Sequence, residues 1–316
     1  RAAAVGAPPC PVAKCGANAQ PPNDCIGAAP AYCAMHCFDG CEKCCAPSGA
    51  PTAVEDASAA SSEDCLVLNV FTPSAALREA NASAAVAARP VMLYIHGGGF
   101  VAGGAPTAWE LAEYTGHVVV AIQYRLGVLG FLSTAATESA GPSNFGMLDQ
   151  LAAMRWVKTN VAAFGGDASK VLIFGCSAGG ASVAGHLVNT AANGLYAAAA
   201  MESPGGHQGW MQDTRRSDDD WMSARLNLAN SAALARALNC TAPSDVKCLQ
   251  ALDLGTLYRA SLDSRFAPAL AGEQFPLGLI HAGKWSQVPA IAGGQSCESC
   301  GSAESRLGPP SSTVTT

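Results

Sequence analysis

One short run in the 316-residue chain has the make-up of a nucleophile: Phe174-Gly175-Cys176-Ser177-Ala178-Gly179-Gly180. A serine hydroxyl attacks an acyl carbon only when it stands clear of its own backbone and a base takes its proton. The pattern G-x-S-x-G supplies the first condition when a strand enters it and a helix leaves it, because small neighbours allow a very tight turn. Both flanks are present. Val171-Leu172-Ile173 is an apolar run rich in β-branched residues, and Ala181 to Asn189 has a helical pattern. Such a helix aims its first N–H groups and its dipole at negative charge developing beside the serine. In this setting Ser177 is the candidate acyl-transfer nucleophile, and a plain glycine-rich turn is the competing reading.

A second run fits the same chemistry. Val91-Met92-Leu93-Tyr94-Ile95 reads as a buried strand and leads into His96-Gly97-Gly98-Gly99-Phe100. Consecutive glycines let backbone N–H groups converge on one point that side chains would obstruct. The expected oxyanion hole combines the N–H groups of Gly98 and Gly99 with that of Ala178, the residue after the nucleophile. By itself this run would be a flexible turn; with Ser177 downstream it gains a chemical purpose.

The elements that must hold these two runs alternate along the chain. Leu66 to Phe71 reads as a strand ended by Pro73, and Val118 to Ile122 as another. Leu148, Leu151, Met154, Val157 and Val161 recur at helical spacing, so Phe145 to Val161 is an expected amphipathic helix. Leu195 to Met201 is expected to be a strand, Trp221 to Leu238 a helix, and Val288 to Ala292 a late strand with Pro289 near its start. Alternation of this kind predicts an α/β fold, a mostly parallel sheet flanked by helices on both faces.

Composition narrows the function class. The chain is 49% hydrophobic and 13% charged, with a net charge of −6, so it can bury a large core. It has no basic run or basic–aromatic interleaving, which argues against nucleic acid as a partner. The stretch Val118 to Leu132 comes nearest to a membrane span, but Gln123 and Arg125 interrupt it, so no transmembrane segment is expected. Eight of the 14 cysteines fall in the first 45 residues. That density predicts disulfides, an oxidising compartment and a secreted protein. The sequons at Asn81 and Asn239 agree with it. A metal-binding reading of Cys33, His36, Cys37, Cys41 and Cys44 is the alternative; their spacing matches no specific zinc pattern. Residues 1–61 form a Cys/Pro/Ala-rich extension and linker, and residues 62–316 the main domain. The chain begins with Arg1, so either a signal peptide has been removed or the sequence is incomplete.

Taken in order, these runs resemble the type B carboxylesterases, the cholinesterase-like α/β-hydrolases. Ser62-Glu63-Asp64-Cys65-Leu66-Val67-Leu68-Asn69-Val70 is similar to a signature of that family. The His96–Phe100 loop, Gln123-Tyr124-Arg125-Leu126-Gly127 and Asn144 to Gln150 follow in the family's order. Arg155-Trp156-Val157 and Phe164-Gly165-Gly166-Asp167 then lead into Ser177. The resemblance implies an α/β-hydrolase fold, a small-molecule or lipid ester as substrate, and no metal or organic cofactor. It implies a triad in the chain order Ser, Glu, His. Glu298 is its proposed acid, with Glu304 a weaker competitor, and Cys297 and Cys300 bracket Glu298 as a C-x-x-C. It further implies a salt bridge between Arg125 and Asp149 and a disulfide between Cys240 and Cys248. For Cys65 it implies a disulfide to an upstream cysteine, one of Cys33 to Cys45.

Four departures shape the expectation. No histidine follows Glu298, although the resemblance places the catalytic base there; the six are His36, His96, His117, His186, His207 and His281. Cys176 stands where many relatives carry Glu. No aromatic choline-binding residue is recognisable upstream of Glu63. The family's opening hairpin and aromatic-Pro loop are replaced by the Cys-rich segment. The reading is therefore a sequence truncated at its C-terminus, with a sheet incomplete at that edge. Expressed alone, it is expected to be aggregation-prone and without esterase turnover. The second reading is a non-catalytic recognition protein with a disulfide-rich N-terminal module, against which the retention of Ser177 counts.

Overall fold

A computed structural model of the chain describes residues 62–81, 87–134, 144–204, 224–240, 246–261, 266, 268 and 285–294. In chain order they form β1 (Leu68–Phe71), α1 (Ser74–Asn81), β2 (Arg89–Ile95), α2 (Trp109–Thr115), β3 (Val118–Ile122), α3 (Gly127–Phe131) and α4 (Phe145–Asn160). Then come β4 (Gly166–Cys176), α5 (Ala178–Val188), β5 (Ala198–Glu202), α6 (Ala224–Ala237), α7 (Val246–Gln250), α8 (Leu254–Ser261) and β6 (Ala290–Gly293). The strands make one sheet in the order β1-β3-β2-β4-β5-β6. Only the β1–β3 pair among these is antiparallel.

Strand composition explains the order. All five residues of β3, Val-Val-Val-Ala-Ile, are buried, as a strand covered on both faces requires. Strand β4 runs eleven residues, well beyond the Val171–Phe174 core visible in the sequence, because Gly166 still pairs with Arg89 at the start of β2, ahead of an irregularity in the register. Strand β5 begins at Ala198 rather than Leu195, because Leu195 N–H is taken up in a turn by the carbonyl of Ala192. Among the described residues β6 is the edge strand, and Ile291 on it is 70% exposed.

Helix α4 buries Met147, Leu151, Met154 and Val157, a stripe at spacings of three and four. It ends where Val161–Phe164 tightens to a 3-10 turn and Gly165 takes φ +79, a left-handed stop that glycine adopts without steric cost. The helix packs into one continuous core with Val91, Leu93, Ile95, Val120, Ile122, Val171 and Ile173 from the three central strands. That core fixes the C-terminal ends of β2 and β4 side by side, with Ile95 opposite Gly175. Both glycine-rich runs leave the sheet from those two ends.

Candidate active site

Ser177 sits between the last residue of β4 and the first of α5, at φ +55 and ψ −122. A non-glycine residue at positive φ is uncommon and strained. Two hydrogen bonds hold it there: Ser177 N–H donates to Glu202 O of β5 (3.0 Å), and Ala181 N–H donates to Ser177 O (2.8 Å). The glycines on either side are required by space. A Cβ on Gly179 would collide with the carbonyl oxygen of Ile95, and one on Gly175 would lie 2.5 Å from the same atom. The end of β2 is thus pressed directly against the turn.

That contact delivers the second run to the first. A Cβ on Gly97 would stand 2.6 Å from Cys176 O and 3.2 Å from Ser177 Cβ. Gly98 and Gly99 follow at φ +113 and +62, and Gly98 O accepts from Val101 N–H (3.1 Å) and Ala102 N–H (3.0 Å). Ala178, buried, opens α5 immediately after Ser177. Ser177, Ala178 and the Gly97–Gly99 loop therefore share one corner of the sheet. Glu298 and Glu304 lie outside the described residues, as do His36, His207, His281, Cys297, Cys300 and residues 1–61.

The polar groups behind this corner are held in fixed roles. The His96 ring stacks on Tyr124, centroids 4.3 Å apart, and its Nδ1 is 2.9 Å from Gly97 O. Tyr124 OH donates to His96 O (2.8 Å). His186 Nε2 is 2.9 Å from Gln150 Oε1, which assigns the proton to Nε2. Gln150 Nε2 donates to Ser182 Oγ (3.0 Å), which donates to Ala178 O (2.9 Å). Burial lowers the pKa of His96 to about 4, partly opposed by its bond to Gly97, and burial lowers that of His186 to about 3. Both rings are neutral at pH 7. Gln150, Ser182 and Tyr124 were not singled out from the sequence; only their place beside or within the quoted motifs marks them.

Arg125 and Asp149 form a two-pronged ion pair: Nε to Oδ2 at 2.7 Å and Nη2 to Oδ1 at 2.8 Å, with Arg125 N–H also donating to Oδ2 (3.0 Å). Bonding to Asp149 raises the Arg125 pKa further. The guanidinium lies 5.4 Å from the Phe145 ring centre. This pair ties the loop after β3 to the N-terminal part of α4. Cys240 and Cys248 are joined by a disulfide. Cys65 and Cys176 are each disulfide-bonded. A cavity of about 410 Å³ lined by Leu187, Asn193, Trp285 and neighbours lies at the opposite end of α5 from Ser177, and it contains none of the residues above. Among the described residues no three metal-ligating side chains converge, and no helix is long and apolar enough to cross a membrane.

The family model described as the carboxylesterase family matches residues 37–314. The chain belongs to the carboxylesterase family. Among curated carboxylesterase relatives, the acylcarnitine hydrolase of Rattus norvegicus is 37% identical over 248 residues, covering 76% of this chain and 41% of that protein. The cocaine esterase of Oryctolagus cuniculus is 48% identical over 144 residues, 45% of this chain and 25% of the relative. Among solved structures, a PNB esterase superposes with a TM-score of 0.62 at 30% identity, over 86% of this chain and 54% of that one. This carboxylesterase chain therefore has an α/β-hydrolase fold and spans about half the length of that structure, and less of the curated relatives.

Proposed function

We propose that Ser177 is the nucleophile of a carboxylic-ester hydrolase acting on a small-molecule or lipid ester. The observation that carries this reading is the strained Ser177 conformation at a strand–helix turn, with the Gly97–Gly99 loop pressed against it. Ser177 Oγ adds to the ester carbonyl, and its proton passes to a base. The N–H groups of Gly98, Gly99 and Ala178 receive the charge on the carbonyl oxygen. Collapse expels the alcohol, which takes up the proton and leaves an acyl-serine. Water then cleaves that ester by the same steps and frees the acid. Glu298 orients the base.

The resemblance puts that base after Glu298, where this sequence has no histidine. His96 and His186 are unsuited to the role. A general base works best with a pKa near the operating pH, and burial holds these two at about 4 and about 3. Both ring nitrogens of His186 also have neighbours, Gln150 and Asn189, and Nδ1 of His96 faces Gly97 O. The test is a fluorophosphonate probe applied to the full-length protein. It is expected to label wild type at Ser177 and to leave Ser177→Ala unlabelled. Absence of labelling on folded wild type would overturn the reading and favour a recognition protein.

A further inference from the structure

Ala178 is expected to give one N–H group to the oxyanion, yet nothing inside α5 aims that group, because the first N–H groups of a helix have no intrahelical acceptor. Their direction is set by whatever holds the peptide planes around them. Ala178 N–H lies in the plane that carries Ser177 O, which accepts from Ala181 N–H (2.8 Å). The next plane carries Ala178 O, which accepts from Ser182 Oγ (2.9 Å). A serine that bonds back four residues slightly destabilises its helix, so helix formation alone does not account for this bond.

The Ser182 hydroxyl is the last link of a longer chain. Ala178, Ser182 and His186 are spaced by four and share one face of α5. Asn189 Oδ1 accepts from Ala191 N–H (3.0 Å), which leaves its amide nitrogen to donate to His186 Nδ1 (3.4 Å). His186 Nε2–H donates to Gln150 Oε1, Gln150 Nε2–H to Ser182 Oγ, and Ser182 Oγ–H to Ala178 O. Every donor points towards Ala178, and bonds aligned in this way polarise and strengthen one another in a low-dielectric interior. Water does not compete, since Gln150, Ser182, His186 and Asn189 are all buried. Burial lowers the His186 pKa to about 3, so the ring stays neutral and keeps one nitrogen as donor and one as acceptor. Gln150 comes from α4, next to Asp149, whose ion pair with Arg125 holds that part of the helix.

We propose that Gln150, Ser182 and His186 are positioning residues for the oxyanion hole: they clamp the first turn of α5 to α4 and so fix the direction of Ala178 N–H beside Ser177. The strained Ser177 conformation calls for such a clamp, because strain persists only where the surroundings over-determine it. None of the three touches the substrate; each acts through Ala178. The effect on turnover rests on the proposed esterase function; the clamp does not.

The test uses the full-length protein and three variants: Ser182→Ala, Gln150→Leu, and Ser182→Thr, which keeps the hydroxyl. Ser182→Ala and Gln150→Leu are expected to lower kcat on a p-nitrophenyl ester about tenfold or more while KM stays within about twofold. The rate of fluorophosphonate labelling should fall in parallel, and Ser182→Thr should recover most of both. The double variant Cys240→Ser/Cys248→Ser, outside the chain of bonds, is the control for lost stability and should keep its kcat. Unchanged kcat in folded Ser182→Ala or Gln150→Leu overturns the proposal, and so does an equal loss in the control. Hydrogen exchange tests the clamp itself. Losing one hydrogen bond of ordinary strength in Ser182→Ala should speed exchange at residues 178–182 about tenfold relative to Val171–Phe174. Equal exchange in wild type and variant overturns the clamp. A wild type that fluorophosphonate does not label counts against the functional reading, and hydrogen exchange still decides the clamp.

Discussion

Replacing Ser177 by glycine is expected to stabilise the protein while abolishing its reactivity. Ser177 occupies φ +55 and ψ −122, where a Cβ is crowded and glycine is not. A backbone held in such a region stores about 1–3 kcal/mol. Glycine recovers that strain but loses about 0.5–1 kcal/mol to the extra freedom of the unfolded chain. The net gain is about 1 kcal/mol. Ser177→Ala retains the Cβ and so retains the strain, which makes it the matched control. Neither change touches the backbone bond from residue 177 to Glu202 O. The comparison is between the two variants by urea unfolding and by thermal melting. For a domain of this size about 1 kcal/mol moves Tm by roughly 2–4 °C. Both variants should be silent to a fluorophosphonate. A glycine variant that melts at or below the alanine variant would refute the assignment of strain to this residue.

Gly179→Ala should fail to fold or should lose more than about 3 kcal/mol, because its Cβ collides with the backbone carbonyl of Ile95 and no flexible side chain can yield; circular dichroism and a urea midpoint would show it. Stability should fall as pH drops from about 6.5 towards 4. His96 and His186 are held neutral in the folded state, with pKa values of about 4 and about 3, while in the unfolded chain they protonate near 6.5. The unfolded state therefore binds more protons in that window, at up to about 1.4 kcal/mol per pH unit for each ring. Equal urea midpoints at pH 7 and pH 5 would contradict the burial of both. Replacing both Cys240 and Cys248 by serine opens a loop closed by residues eight apart in sequence, and should lower stability by roughly 2–3 kcal/mol in the same assay.

The parts of this chain legible in the sequence are those whose side chains answer to one local requirement. Val118 to Ile122 was readable as a strand because an all-apolar run has few other uses, and Phe145 to Val161 as a helix, which the structure ends one residue earlier, because its apolar residues recur regularly. Gly175 and Gly179 could be read as a tight turn for the same reason. Strand β4 was underestimated, since Asp167, Ser169 and Lys170 in its first half carry no apolar signal. Helices α1, α2, α3, α7 and α8 are short, from five to eight residues, too brief for a periodic pattern to emerge. Within the site, the strand–turn–helix that carries Ser177 was legible and the polar groups behind the turn were not. The chain Gln150, Ser182, His186 links α4 to α5 across 32 to 36 positions, and polar residues that satisfy one another inside a core look in sequence like any others. The bond at Cys176 was equally hidden, because spacing along the chain says little about which cysteines meet.

The pairing of β2 with β4 has a consequence in time. Val91 lies against Val171, Ile95 against Gly175, and Gly97 against Ser177, each pair 80 positions apart. Neither glycine run can take its final shape until a loop of that length has closed, and non-local closures of this kind fold slowly. During synthesis the first run leaves the ribosome and waits for the second, with the apolar strand Val91–Ile95 uncovered in the interval. The corner that holds Ser177 is then a late product of folding, and its appearance reports that the centre of the sheet has formed.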